Sequence, residues 1–114
     1  MTFSYGQTDE EFIQKLKSAS GVEKIDLYNK LAREILNNDP NNSIEYANKA
    51  LELAVENSDI KRQADSYYNI ADGYKLKGEN LQSLDYYLKA IRSYTDVDDK
   101  TGISKSSNQS GRVY

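Results

Sequence analysis

The chemistry open to this sequence is that of carboxylates, amides, ammonium groups and phenols, because it contains no cysteine and no histidine. That composition removes disulfides, thiol nucleophiles, imidazole general bases and the usual zinc ligands. Acid clusters remain. Asp96, Asp98 and Asp99 are grouped as calcium ligands often are, but the twelve-residue loop and its closing bidentate glutamate are missing, and a helix-capping turn accounts for them. Asp39-Pro40-Asn41-Asn42 reads in the same way. Glu10 and Glu11 fall on an exposed helix start, with no sign of a pocket. Nothing in the sequence resembles a phosphate loop, a nucleophile elbow or a metal cluster. The sequence therefore predicts no catalytic residue, no metal and no cofactor, and a segment that is not an enzyme.

Phenols are the unusual element. Ten tyrosines stand against two phenylalanines and no tryptophan. Tyr67, Tyr74, Tyr87 and Tyr94 are expected to pack between helices with their hydroxyls reaching solvent. Tyr46, Tyr68 and Tyr86 fall off the core ridges and are the better interface candidates, since aromatic residues are enriched where proteins meet. The net charge of −3 argues against nucleic acid, which needs a basic stripe to displace counterions. No apolar run reaches the roughly 18 residues of a bilayer span, so membrane insertion by this segment is not expected.

These groups must be positioned by a chain that resembles itself at a spacing of 40 residues. Residues 43–50 read Ser-Ile-Glu-Tyr-Ala-Asn-Lys-Ala, and residues 83–90 read Ser-Leu-Asp-Tyr-Tyr-Leu-Lys-Ala. The same offset relates Asp59 to Asp99, Ser66 to Ser106 and Tyr74 to Tyr114. A period of this size marks stacked units, each of which buries its apolar face on the next. Thr8 and Glu11 predict a capped helix start, with Phe12, Ile13, Leu16 and Ala19 on one face and Gly21 ending it. A second helix fits residues 22–37 through Val22, Ile25, Tyr28, Leu31, Ala32 and Ile35. Residues 37–42 are dense in breakers and predict a turn. Helices are then expected at about 43–57, 60–77 and 80–95, and a last helical stretch from about Lys100. Ser58 or Asp59 should cap the fourth helix, and Gly78 should stop it. Short turns force neighbours to run antiparallel, giving an all-α array of helix hairpins.

Tyr67, Ile70, Ala71, Tyr74, Gly78, Ser83, Leu84, Tyr87 and Ala90 resemble the small and large packing positions of the tetratricopeptide repeat. The period of 40 resembles its longer-helix variants in bacterial signalling proteins. The resemblance covers residues 23–114: 22–57 as one repeat, 60–96 as a second and 99–114 as part of a third, with 8–20 as a leading helix. It implies a right-handed superhelix and a protein- or peptide-binding module, the sensory or adaptor region of a larger bacterial signal-transduction protein. The concave groove of such an array would be lined by Asp65, Tyr68, Asn69, Asp72 and Lys75, with Asn29, Arg33, Asn108 and Arg112 at matching positions. Amide side chains there suit a peptide backbone, and Tyr68 offers a flat apolar face with a hydroxyl. A clamp for a terminal carboxylate is not expected, since Tyr68 and Asp72 stand where that pattern wants a cation and an amide, leaving only Asn69 and Lys105 to fit.

Two departures bear on function. Ser107 and Ser110 occupy positions that hold Tyr67 and Ile70 one unit earlier, as in a solvating end cap. The sequence also stops at Tyr114, halfway through a hairpin. That predicts a fragment of a longer protein or, alternatively, a homo-oligomer formed through the unpaired last helix. Residues 1–7 read either as a disordered start or as the remnant of a secretion signal, which would place the protein outside the cytoplasmic membrane instead of in the cytoplasm.

Overall fold

The computed structural model describes residues 9–113, which form six helices and no strand. They are α1 (Asp9–Ser18), α2 (Gly21–Ile35), α3 (Pro40–Glu56), α4 (Ile60–Leu76), α5 (Asn80–Asp96) and α6 (Lys100–Gly111). The expected cap at Thr8, the segment 1–7 and the pairing of Tyr74 with Tyr114 lie outside the described residues.

One turn design recurs. Ser58, Gly78 and Asp98 each adopt positive φ, at 53°, 77° and 55°. Just after each, the amides of Asp59, Glu79 and Asp99 donate back across the helix end to Ala54, Tyr74 and Tyr94, all at 2.9 Å. This six-to-one bond satisfies carbonyls that the helix leaves open. Glycine takes the left-handed conformation freely, while the serine and the aspartate hold it at a cost of roughly 1 kcal/mol each. The next helix starts at once. Asp59 accepts from the Arg62 amide and Asp99 from the Gly102 amide, both at 3.0 Å. Asp98 and Asp99 thus serve the turn itself. Asp39 caps α3 in the same way, accepting from the Asn42 amide at 3.1 Å.

Pro40 is the first helical residue of α3, so the breaker cluster expected to be a turn through Asn42 is half helix. The reason is that proline's missing donor costs nothing at the first helical position and its fixed φ suits a helix. Asp39 supplies the cap that makes Asn41 and Asn42 helical.

Each helix from α2 to α6 packs on its sequence neighbours, and α4 also touches α2 and α6. That places α2, α4 and α6 in one layer with α3 and α5 behind. The slab is 38 × 30 × 19 Å, its least dimension matching two helix diameters. Small residues bring the layers together. Ser43 Oγ donates to the Ala32 carbonyl at 2.7 Å, and Ser83 Oγ donates to the Ala71 carbonyl at 3.0 Å. Both serines, with Ala32, Ala71 and Ala90, are buried. A Cβ on Gly73 would lie 2.5 Å from Ile44 Cγ1, so α3 and α4 approach closer than any larger residue permits.

At the N-terminal end, Phe12 holds α1 by two edge-on ring contacts, to Tyr28 and to Tyr46, each at 5.9 Å. Ile13 and Val22, expected in the core, are instead exposed. Among the described residues of α1 only Phe12 is buried against the array, and Val22 falls in the first turn of α2. At the other end, Ser107 faces solvent while Val113 is buried.

Candidate functional site

A groove of about 470 Å³ crosses the α2–α4–α6 layer. It is lined by Asn29, Lys30 and Arg33 from α2, by Lys61, Asp65, Tyr68 and Asn69 from α4, and by Lys105 from α6. Two smaller hollows, about 360 and 370 Å³, flank α1. On α4 the lining residues fall at steps of four, three and one from Lys61, which is one face of a helix.

The walls are tied together by a polar chain. Arg33 Nη1 donates to Asn69 Oδ1 at 3.2 Å and pairs with Asp72. Asn69 Nδ2 donates to Asn29 Oδ1 at 3.0 Å, and Asn29 Nδ2 reaches Ser66 Oγ at 3.1 Å. The two amides therefore spend much of their hydrogen-bonding capacity on each other and on Arg33. They brace α2 against α4, and less of them is free to grip a ligand backbone than the sequence suggests. Ser106 occupies the place of Ser66 one unit later, but its buried Oγ finds no partner among the described residues. The α4 residue equivalent to Asn29 is Tyr68, which carries no amide.

The floor comes from α5. Tyr87 and Tyr94 are fully buried and donate their hydroxyls to Asp72 and Asp65, respectively. The expectation that these hydroxyls reach solvent is thus wrong: Asp65 in the groove wall and Asp72 beneath it each accept a hydrogen bond from a phenol that keeps its proton. Tyr68 is corrected likewise. It is 9 % exposed, edge-on to Tyr87 at 5.9 Å, and part of the core cluster with Ala64, Ala71 and Ala90. Tyr46 and Tyr86 are half-buried, Tyr46 stacked on Tyr28 and Tyr86 on Tyr74. They are packing residues also.

Five of the predicted groove residues, Asn29, Arg33, Asp65, Tyr68 and Asn69, line one cavity. Asp72 lies beneath it at 5 % exposure, drawn inward by Arg33 and the Tyr87 hydroxyl. Lys75 bonds Gln109 of α6. Asn108 on α6 and Arg112 just beyond its end are exposed and outside the lining. Lys30 and Lys61 are lining residues that the sequence reading passed over, and Lys105 entered it only as a possible clamp residue. A signal was present: Lys105 is 40 residues after Asp65, Lys30 is 39 before Asn69, and Lys61 is one helical turn before Asp65.

The rings carry the cations. Lys105 Nζ lies 4.5 Å from the Tyr68 ring centre and 5.6 Å from that of Tyr94. Lys61 Nζ lies 5.5 Å from Tyr94, and the Arg33 guanidinium 5.5 Å from Tyr68. Lys61 also pairs with Asp65 at 3.1 Å and with Asp99 at 3.6 Å. At the far end of the layer, Arg62 bridges Asp26 at 2.8 Å and Asp59 at 3.2 Å. Its bond to Asp26 is the main reason that its proton is held even more firmly than usual.

Burial, and then the bond to a carboxylate, pushes the Tyr87 and Tyr94 phenols well above their ordinary value of 10.0. A raised phenol pKa means that the fold binds the neutral form better. That stability is complete below the unfolded value and is lost as pH rises towards the folded one. Above pH 10, unfolding free energy should fall by up to about 1.4 kcal/mol per pH unit for each tyrosine. Thermal unfolding followed between pH 8 and 12 checks this. A Tyr87→Phe/Tyr94→Phe double variant should show a flatter profile, and an unchanged slope would remove these phenols as its source.

No helix of the described residues is long and apolar enough to cross a membrane. Among the large apolar side chains that are exposed, none belongs to α6, whereas Leu81 and Leu88 of α5 do. Comparison with protein families, with curated proteins and with solved structures returned no match.

Proposed function

We propose that this chain is a peptide- or protein-binding module of the tetratricopeptide type. In this reading its hairpins wind as a right-handed superhelix, and the α2–α4–α6 layer forms the concave face. Such a module fits the sensory or adaptor region of a larger bacterial signal-transduction protein. The observation that carries the reading is the groove itself: one cavity spans three helices that are far apart in sequence. Its walls are cross-braced by Arg33, Asn29 and Asn69, and its floor by Tyr87 and Tyr94. A pre-braced surface binds without first losing conformational freedom, which is the largest avoidable cost of recognition. The carboxylates that would suit acid–base chemistry are occupied by phenols and cations, which favours binding over catalysis.

Selection of random dodecapeptides displayed on phage, followed by amide chemical-shift mapping, tests the reading. Enriched peptides should move the amides of Asn29, Arg33, Asp65 and Asn69 and compete with one another. Failure to enrich any peptide, or shifts confined to α1, would overturn it.

A further inference from the structure

Building on the groove reading, we infer that the occupant is an acidic peptide segment, held by its aspartate or glutamate side chains between Lys30 and Lys105. The lining contains four cations, Lys30, Arg33, Lys61 and Lys105, and one carboxylate, Asp65. Two of the cations are matched within the fold: Arg33 by Asp72, and Lys61 by Asp65 and Asp99. Lys30 and Lys105 are exposed and form no ion pair among the described residues. Each stands on a different wall, α2 and α6.

Lys105 is also pre-positioned. Its ammonium rests over the faces of Tyr68 and Tyr94, an attraction worth about 0.5–1 kcal/mol at an exposed site. The ring faces hold the cation at the groove without pairing it, and the Asp99 carboxylate feels its charge without forming an ion pair with it. A cationic ligand would have to displace Lys105 and would meet Lys30 as a second cation without an ion pair. The chain as a whole carries −3, whereas the four groove cations still outnumber the three carboxylates that engage them, Asp65, Asp72 and Asp99. Local excess of this kind steers a ligand of opposite sign and fixes its register.

Neighbouring helices in a layer lie about 8–10 Å apart, so α2 to α6 spans roughly 16–20 Å. An extended peptide advances about 3.3 Å per residue. Two acidic side chains about five or six residues apart would therefore engage both lysines, with the intervening backbone over Tyr68. The inference concerns internal side chains and not a chain terminus.

The test uses the full chain and three dodecapeptides of alternating sequence, each acetylated and amidated: Glu-Ala, Gln-Ala and Lys-Ala. Fluorescence anisotropy should show the Glu-Ala peptide binding at least tenfold more tightly than the Gln-Ala peptide. That advantage should shrink severalfold between 50 and 300 mM salt, because screened surface charges lose their reach. Lys30→Gln and Lys105→Gln should each weaken Glu-Ala binding severalfold. Together they should abolish the preference while leaving the circular dichroism spectrum and Tm unchanged. Equal binding of the Glu-Ala and Gln-Ala peptides at the groove would overturn the acidic preference and leave the groove reading standing. So would tighter binding of the Lys-Ala peptide, or Glu-Ala binding indifferent to both substitutions. If no peptide shifts the groove amides, both readings fall.

Discussion

Replacing Tyr87 with alanine should remove about 3–5 kcal/mol of unfolding free energy, a large share of the roughly 5–15 kcal/mol that holds a domain of this kind. The ring is fully buried among Ala64, Tyr68, Ala71, Ala90, Tyr94 and Val113. Three of those neighbours are alanines, whose methyl groups cannot swing in to fill the space, so a cavity remains instead of collapsing. The substitution also strips Asp72 of its phenolic donor and leaves Arg33 as the remaining partner described for its carboxylate. Tyr87→Phe separates the two contributions. It keeps the ring and deletes the hydroxyl, which should cost about 1–3 kcal/mol, the range for a buried group left without its partner. Urea denaturation of both variants measures the split. A loss below 1 kcal/mol for the alanine variant would show that the α4–α5 interface does not depend on this ring.

Gly102→Leu should cost about 3 kcal/mol, at the upper end of the range for overpacking a core. A Cβ at this position would lie 2.3–2.5 Å from three carbons of the Tyr94 ring. That ring cannot give way, since it is fully buried and its hydroxyl is engaged by Asp65. The strain must therefore fall on α6, which should lift from α5. The better helix propensity of leucine over glycine returns somewhat less than about 1 kcal/mol and does not reverse the sign. Hydrogen exchange should show protection lost through α6 and kept in α2 to α4. Lys105 leaves the groove with α6, so the preference for the Glu-Ala peptide should disappear in the same variant. Gly73→Ala should destabilise as well, because its Cβ would lie 2.5 Å from Cγ1 of Ile44, a buried side chain whose β-branch leaves it little room to rotate aside. Wild-type stability of Gly102→Leu would mean that α6 is not seated on Tyr94 as described.

Much of the fold was legible because its determinants are local and repeated. Gly78, Asp59 and Asp99 announce their turns through backbone chemistry that needs no distant partner. The 40-residue echo aligns Ser43 with Ser83, and both perform the same hydrogen bond between helices. Pro40 was misread because the same residue stops a helix from within and starts one at its first position. Only the Asp39 cap distinguishes the two.

The groove was legible in part, and for a related reason. Periodicity brings Asn29, Asp65, Tyr68 and Asn69 to one face, but it does not say which side chains spend their polarity on one another. Asp72 looks like a solvent-facing acid in the sequence. It is buried because Arg33, 39 residues earlier, and Tyr87, on the next helix, both reach it. The tyrosine hydroxyls were misplaced on the same account, since a phenol's partner is set by distance in space and not by spacing along the chain.

By itself, then, the sequence determined the helices, their turns and the all-α class, because capping, chirality and apolar periodicity act within a few residues. The tertiary structure alone decided which charges cancel and which remain. It matched Arg33 and Lys61 with buried or neighbouring carboxylates and left Lys30 and Lys105 without an ion pair on opposite walls of the groove, since electrostatic pairing depends on three-dimensional distance.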